Sequence, residues 1–198
     1  MTTCREIVRQ RLDAAAHAVE SLRGHPDDLI AIAQAVVDAL SSGGQILTCG
    51  NGGSAAEALH LSEELVGRFK ADRPPLRSIC LNADPTALTC IGNDYGFDAV
   101  FARQCQALGR AGDVLVVFST SGRSPNILAA LETARSLGLT TIGLLGGSGG
   151  PAAELCDLGL IAPGEDSAAI QECHQVALHA ICNCLEPGAD GARPHDSE

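Results

Sequence analysis

Two stretches at the start of the chain carry apolar residues at helical spacing. From about Cys4 to Leu22, the residues Ile7, Leu12, Ala15, Ala16 and Val19 fall toward one side, and the period resumes from about Pro26 to Leu40. Neither stretch follows a strand-like run. They predict an N-terminal helical layer that packs on a sheet or against a partner subunit. From Gln45 the pattern changes. Short apolar runs at Ile46–Cys49, Ser78–Leu81, Val114–Ser119, Thr141–Leu145 and Leu158–Ile161 read as strands. Helical stretches lie between them: Ser54 to Phe69, Pro85 to about Ile91, Phe97 to Leu108, Pro125 to Leu137, and a short one from Pro151. A last helix runs from about Ser167 to Leu185. Apolar strands alternating with helices predict an α/β fold with a mainly parallel sheet. Asp84-Pro85 and Ser124-Pro125 each pair an N-cap residue with proline at the first helical position. Residues 1–43 then form helices of the same domain, and 44–186 the α/β domain proper. Residues 187–198 form a polar tail with glycine and proline, expected to be disordered.

Composition narrows the class. The chain has 198 residues, 45% apolar and 19% charged, which fits one globular domain with a substantial core. No apolar run is long enough to span a bilayer, and MTTCREIVRQ does not read as a signal peptide. Nine cysteines are scattered without a CxxC pair. That predicts reduced thiols in a cytoplasmic protein, most of them small core residues. The net charge of −11 argues against nucleic-acid binding. An anionic ligand must therefore be held by hydroxyls, local dipoles, arginines or a metal ion. Lys70 is the single lysine and sits in a polar stretch before two prolines, which disfavours Schiff-base chemistry.

Such local dipoles are available. Cys49-Gly50-Asn51-Gly52-Gly53-Ser54 lies between the first strand and a helix. Strand, glycine-rich turn and helix start make an anion site, because glycines admit a ligand close to backbone N–H groups. The segment lacks the GxGxxG fingerprint and the Walker lysine, so a plain tight turn is the competing reading. Ser54 and Glu57 have the spacing of a capping box. A second loop, Ser119-Thr120-Ser121-Gly122-Arg123-Ser124-Pro125, follows the third strand. Two such loops suggest one phosphorylated ligand between them.

Candidate chemistry lies on two helices. His60 and Glu64 are four residues apart and share a face, able to share a metal ion, although an isolated pair is more often a surface ion pair. On the last helix Gln171 and His179 lie about 80° apart around the axis and can face one pocket. Spacing alone slightly favours a core histidine for His179. His174 lies about 140° from His179, which predicts an outward or interface position. Asn93-Asp94 reads as a loop and helix cap, or as a pair for sugar hydroxyls. Arg68 meets a phosphate or carboxylate, or covers a helix end.

The segments CGNGGSAAEALHLSEELVGRF, ALTCIGNDYGFDAVFARQ, ALGRAGDVL, STSGRSPNIL and IQECHQVALHAI, in that order, resemble the sugar isomerase (SIS) domain family. The likeness is greatest to its branch acting on seven-carbon phosphosugars. The resemblance implies a SIS-type, flavodoxin-like sheet of five parallel strands flanked by helices. It implies a phosphosugar site of Asn51, Gly52, Gly53, Ser54, Glu64, Arg68, Asn93, Asp94, Ser119, Thr120, Ser121, Ser124 and Gln171. It implies zinc held by His60, Glu64, Gln171 and His179, and a homotetramer assembled through helices. The implied reaction is conversion of sedoheptulose 7-phosphate to D-glycero-D-manno-heptose 7-phosphate through an enediol, with Glu64 and His179 as catalytic residues. The product would feed lipopolysaccharide or another heptose-containing product. Two positions depart from the family pattern: Glu57 stands where relatives usually carry Asp, and Ala169 where a basic residue is expected.

Three other readings compete. A non-catalytic SIS-fold adaptor that binds the replication initiator would need no base, and the pair Glu64 and His179 argues against it. A phosphosugar sensor would need a separate reader, since no DNA-binding segment is evident. An isomerase of another phosphosugar differs only in pocket shape.

Overall fold

The computed structural model describes residues 2–189. The expected disorder of the tail therefore lies outside the described residues from 190 onward; 187–189 form a turn. Helices α1 (Cys4–Leu22) and α2 (Pro26–Ser41) precede strand β1 (Ile46–Gly50) and helix α3 (Gly53–Val66). Then come β2 (Ser78–Cys80), α4 (Pro85–Tyr95), a 3-10 turn (Phe97–Ala99) and α5 (Ala102–Leu108). β3 (Val114–Ser119), α6 (Pro125–Ser136), β4 (Thr140–Gly146), α7 (Ala152–Leu155), β5 (Leu158–Ala162) and α8 (Ser167–Cys184) complete the chain.

All five strands are parallel, in the order β2-β1-β3-β4-β5. The order reverses between β1 and β3, and ligands of open parallel sheets bind beyond the strand ends at such a switch point. β1 and β3 run in step, from Ile46 opposite Val114 to Gly50 opposite Phe118, so their following loops emerge side by side. Both strands are buried throughout, as a sheet covered on both faces requires. One core layer joins Ile32, Val36, Leu61, Leu65, Phe118 and Leu178. The other joins Leu47, Phe101, Leu115, Ile127 and Leu131. α8 packs across α1, α2 and α3, which brings the late part of the sequence against the first loop.

Some local expectations change. The helix expected from Phe97 to Leu108 is interrupted, with a 3-10 turn before α5. Asn93 and Asp94 are not in a loop; α4 runs on to Tyr95 and Gly96 ends it with φ +86°. Ser54 is not an N-cap. Gly52 takes that place at φ +59°, and hydrogen bonds from Ser54 N to Asn51 O (3.1 Å) and Ala55 N to Gly52 O (3.1 Å) start the helix earlier. Glu57 is thereby released from capping and turns inward. On α1, Ile7 and Leu12 are exposed, 55% and 64%, so part of the predicted apolar side is left uncovered among the described residues.

Candidate active site

The loops after β1 and β3 are bolted together. Asn51 Nδ2 donates to Asn126 Oδ1 (2.8 Å), and Asn126 Nδ2 donates to Asn51 Oδ1 (2.9 Å). Asn82 grips Gly50 from the other side, accepting from its N–H (3.1 Å) and donating to its carbonyl (2.9 Å). Asn126 was legible as an oddity, a poor helix former just inside a helix start; Asn82 carried no such signal.

Between the loops lies a cradle of about 130 Å³. Hydroxyls line it, from Ser54, Ser119, Thr120, Ser121, Ser124 and Ser167, together with Asn51 and Gln171. No lysine or arginine is among these lining residues. The first turns of α3, α6 and α8 reach it through Ser54, Ser124 and Ser167. Ser124 is the N-cap of α6, yet its side chain makes no capping bond, so its hydroxyl is left for a ligand. Three helix starts supply partial positive charge and N–H donors, which suits an oxyanion in a chain of net charge −11. Ser119 and Ser121 also hold the loop, accepting from Gly122 N–H (3.0 Å) and Arg123 N–H (3.3 Å). Ser167 was not expected from sequence.

A second cleft, about 390 Å³, opens between α3 and α8 and is lined by Glu57, His60, Gln171, Glu172 and Gln175, with Ala56 and Ala168. Gln171 lines both spaces. At the cleft, His60 Nε2 lies 3.2 Å from Glu64 Oε1. The His60 and His179 rings meet edge to face, with centroids 5.1 Å apart. Phe69 stacks on His179 at 5.6 Å. One ligand atom from each of His60, Glu64 and His179 lies within 4.8 Å of the others. Two imidazoles and a carboxylate are the donors of a catalytic zinc site with a position left open, so the residues fit a metal ion. Gln171 shares the cleft but rests against Gly53, and it is Gln175 that reaches His60, Nε2 to Nδ1 at 2.9 Å. Sequence reading missed Gln175, although it sits midway along the stripe Gln171, Gln175, His179.

Other expected residues stand apart in the single chain. Arg68 is exposed in the bend after α3. Arg73 covers that helix end instead, donating to Leu65 O (3.1 Å) and Glu64 O (2.7 Å). Asn93 and Asp94 are exposed and bond to each other (2.7 Å), lining neither space. His174 is not outward. It is 0% exposed, with Nε2 3.1 Å from Leu145 O and Nδ1 3.4 Å from Glu57 Oε2. The angle to His179 was right, but the side of α8 away from the cleft faces the sheet. At the cleft rim Arg11 bonds Glu172 and Asp166, and the bond to Glu172 chiefly raises the guanidinium pKa. The cysteines are all free. Burial pushes Cys105 and Cys182 up to about 12, so these remain thiols.

A parallel sheet in this order is a doubly wound, flavodoxin-like arrangement, and the family model described as "SIS domain" matches residues 12–146, so the chain carries a SIS domain. A phosphoheptose isomerase of Bradyrhizobium sp. strain BTAi1 is 51% identical over 177 residues, covering 87% of this chain and 89% of that one. The solved phosphoheptose isomerase of Neisseria gonorrhoeae superposes with TM-score 0.88 at 40% identity, covering 92% of this chain and 98% of the other. That of Francisella tularensis gives 0.90 at 37% identity, covering 93% and 98%. The chain belongs to the phosphoheptose isomerase family.

Proposed function

We infer that this protein is an aldose–ketose isomerase that converts sedoheptulose 7-phosphate to D-glycero-D-manno-heptose 7-phosphate. The observation that carries this reading is the junction at Gln171 of the hydroxyl-lined cradle with the cleft of His60. A phosphosugar is an anion at one end and a carbonyl at the other, and the site offers a place for each. The hydroxyls of Ser54, Ser119, Thr120, Ser121 and Ser124 and the helix starts hold the phosphate, with Asn51, Gly52 and Gly53 shaping the turn. Gln171 orients the chain that joins the two ends.

Glu64 acts as general base. Its carboxylate removes a proton from C1 of the open-chain ketose, leaving an enediol, and returns it to C2. His179, held by Phe69, moves the compensating proton from O1 to O2. His60, Glu64 and His179, joined by Gln171, would hold a zinc ion. Bound there, zinc supplies Lewis-acid polarisation of the carbonyl. Coordination would weaken Glu64 as a base.

Arg68, Asn93 and Asp94 line neither space within one chain, so we place their substrate contacts in a homotetramer whose helices bring neighbouring chains to the site. The exposed stripe of Ile7, Val8 and Leu12 on α1 is apolar surface of the kind such an assembly buries. The protein is then cytoplasmic, and its product feeds heptose-containing glycans such as lipopolysaccharide. Chelation should abolish aldose formation and zinc should restore it, followed by NMR of the sugar. Turnover that survives complete zinc removal would refute the metal assignment. Ile7→Asp with Leu12→Asp should dissociate the tetramer in sedimentation velocity; an unchanged species would refute the role of α1.

A further inference from the structure

His60 has both ring nitrogens occupied by side chains. Nδ1 lies 2.9 Å from Gln175 Nε2, and Nε2 lies 3.2 Å from Glu64 Oε1. With the amide nitrogen turned toward the ring, Nδ1 accepts and Nε2–H donates to the carboxylate; with the amide turned over, the roles reverse. Gln175 comes from the facing helix, one turn after Gln171 and one turn before His179, and the three side chains form a single stripe on α8. Gln171 and His179 are thereby separated by a residue whose amide reaches across the cleft to α3.

We propose that Gln175 is a positioning residue: it fixes the rotation of the His60 ring so that Nε2 is the nitrogen presented to Glu64 and His179. The proposal rests on reading His60, Glu64 and His179 as the metal-binding group. A histidine that coordinates through one nitrogen is oriented by the hydrogen bond at the other. A glutamine suits this task in either proton arrangement. It donates through its nitrogen while Nδ1 carries a lone pair. Turned over, it accepts through its oxygen when Nε2 gives up its proton and Nδ1 takes one. Methionine has similar length and reach but offers no such partner. Glutamate offers the acceptor alone, which matches the ring with Nε2 free to coordinate.

The test compares the parent protein with Gln175→Met and Gln175→Glu. Zinc affinity is read by competition with a chromophoric chelator, and ligand geometry by the visible spectrum of the cobalt-substituted protein. Gln175→Met should weaken zinc binding about 10-fold or more and alter the cobalt bands. Gln175→Glu should bind zinc at least as tightly as the parent. Parent-like zinc affinity and cobalt spectrum in Gln175→Met would overturn the proposal. Failure of the parent itself to bind zinc would overturn both this proposal and the metal reading. Parent binding and turnover with an unaffected Gln175→Met would remove the role of Gln175 alone.

Discussion

Two neighbouring glycines should respond to alanine in opposite ways. A Cβ at Gly50 would lie 2.3 Å from Ser54 O and 2.5 Å from Ser54 C, against backbone that cannot step aside. A Cβ at Gly53 would lie 2.4 Å from Gln171 Nε2 and 2.8 Å from its Cδ and Oε1, against the far end of a flexible side chain. Gly53 opens α3 and is not among the positive-φ glycines, so alanine fits its backbone. Alanine gains at most about 1 kcal/mol of helix propensity, the helix-interior value, at this first residue of α3. Displacing Gln171 into a poorer rotamer costs about 1 kcal/mol. The two offset, and Tm should move by no more than about 4 °C. Activity should not be spared. Restoring van der Waals distance moves the amide by about 1 Å, and a misplacement of that size costs on the order of 100-fold in kcat/KM, or about 2.7 kcal/mol of barrier. Thermal melts and sedoheptulose 7-phosphate turnover on both variants check this. Gly50→Ala should lose its fold or melt far lower, while Gly53→Ala should stay folded and become slow. A Gly53→Ala protein with parental kcat/KM would refute the placement of Gln171 in the site. One as unstable as Gly50→Ala would refute the claim that its clash is confined to a side chain.

Two further outcomes follow from the same structure. His174→Leu takes from the buried Glu57 side chain, 5% exposed, its hydrogen-bond partner, and Oε1 has none among the described residues; urea unfolding should show a loss of about 1–3 kcal/mol, and Glu57→Leu with His174→Leu should recover much of it. Asp166 caps α8, and its pKa is lowered from 3.8, chiefly by the hydrogen bond from Ala169 N–H and further by Arg11. A depressed folded-state pKa stabilises above the unfolded value and ceases to do so as pH falls through the folded one. Asp166→Ala should therefore melt below the parent at pH 7, and the gap should close as pH drops beneath 3.8.

The strands and most helices were legible because burial on both faces leaves continuous apolar runs, as at Val114–Ser119. The two loops were legible because glycines and hydroxyls after a strand have few other uses. What stayed hidden depends on how α8 lies across the sheet. Periodicity gave the angle between His174 and His179 but not which of the two pointed inward, and only the packing of α8 against α3 and β4 decides that. Gln175 was invisible for the same reason, since its partner His60 lies 115 positions earlier in the chain. Glu57 misled because capping boxes are recognised by spacing, whereas the helix start was set by Gly52.

The most direct measurement is conversion of sedoheptulose 7-phosphate by zinc-loaded parent protein beside Glu64→Gln, followed by NMR of the sugar. Glutamine keeps the shape of the side chain and removes its basicity. The aldose phosphate should accumulate with the parent and not with the folded variant. Equal conversion by both would contradict the assignment of Glu64 as the base. Conversion by neither, with sugar phosphate still bound, would contradict the isomerase itself.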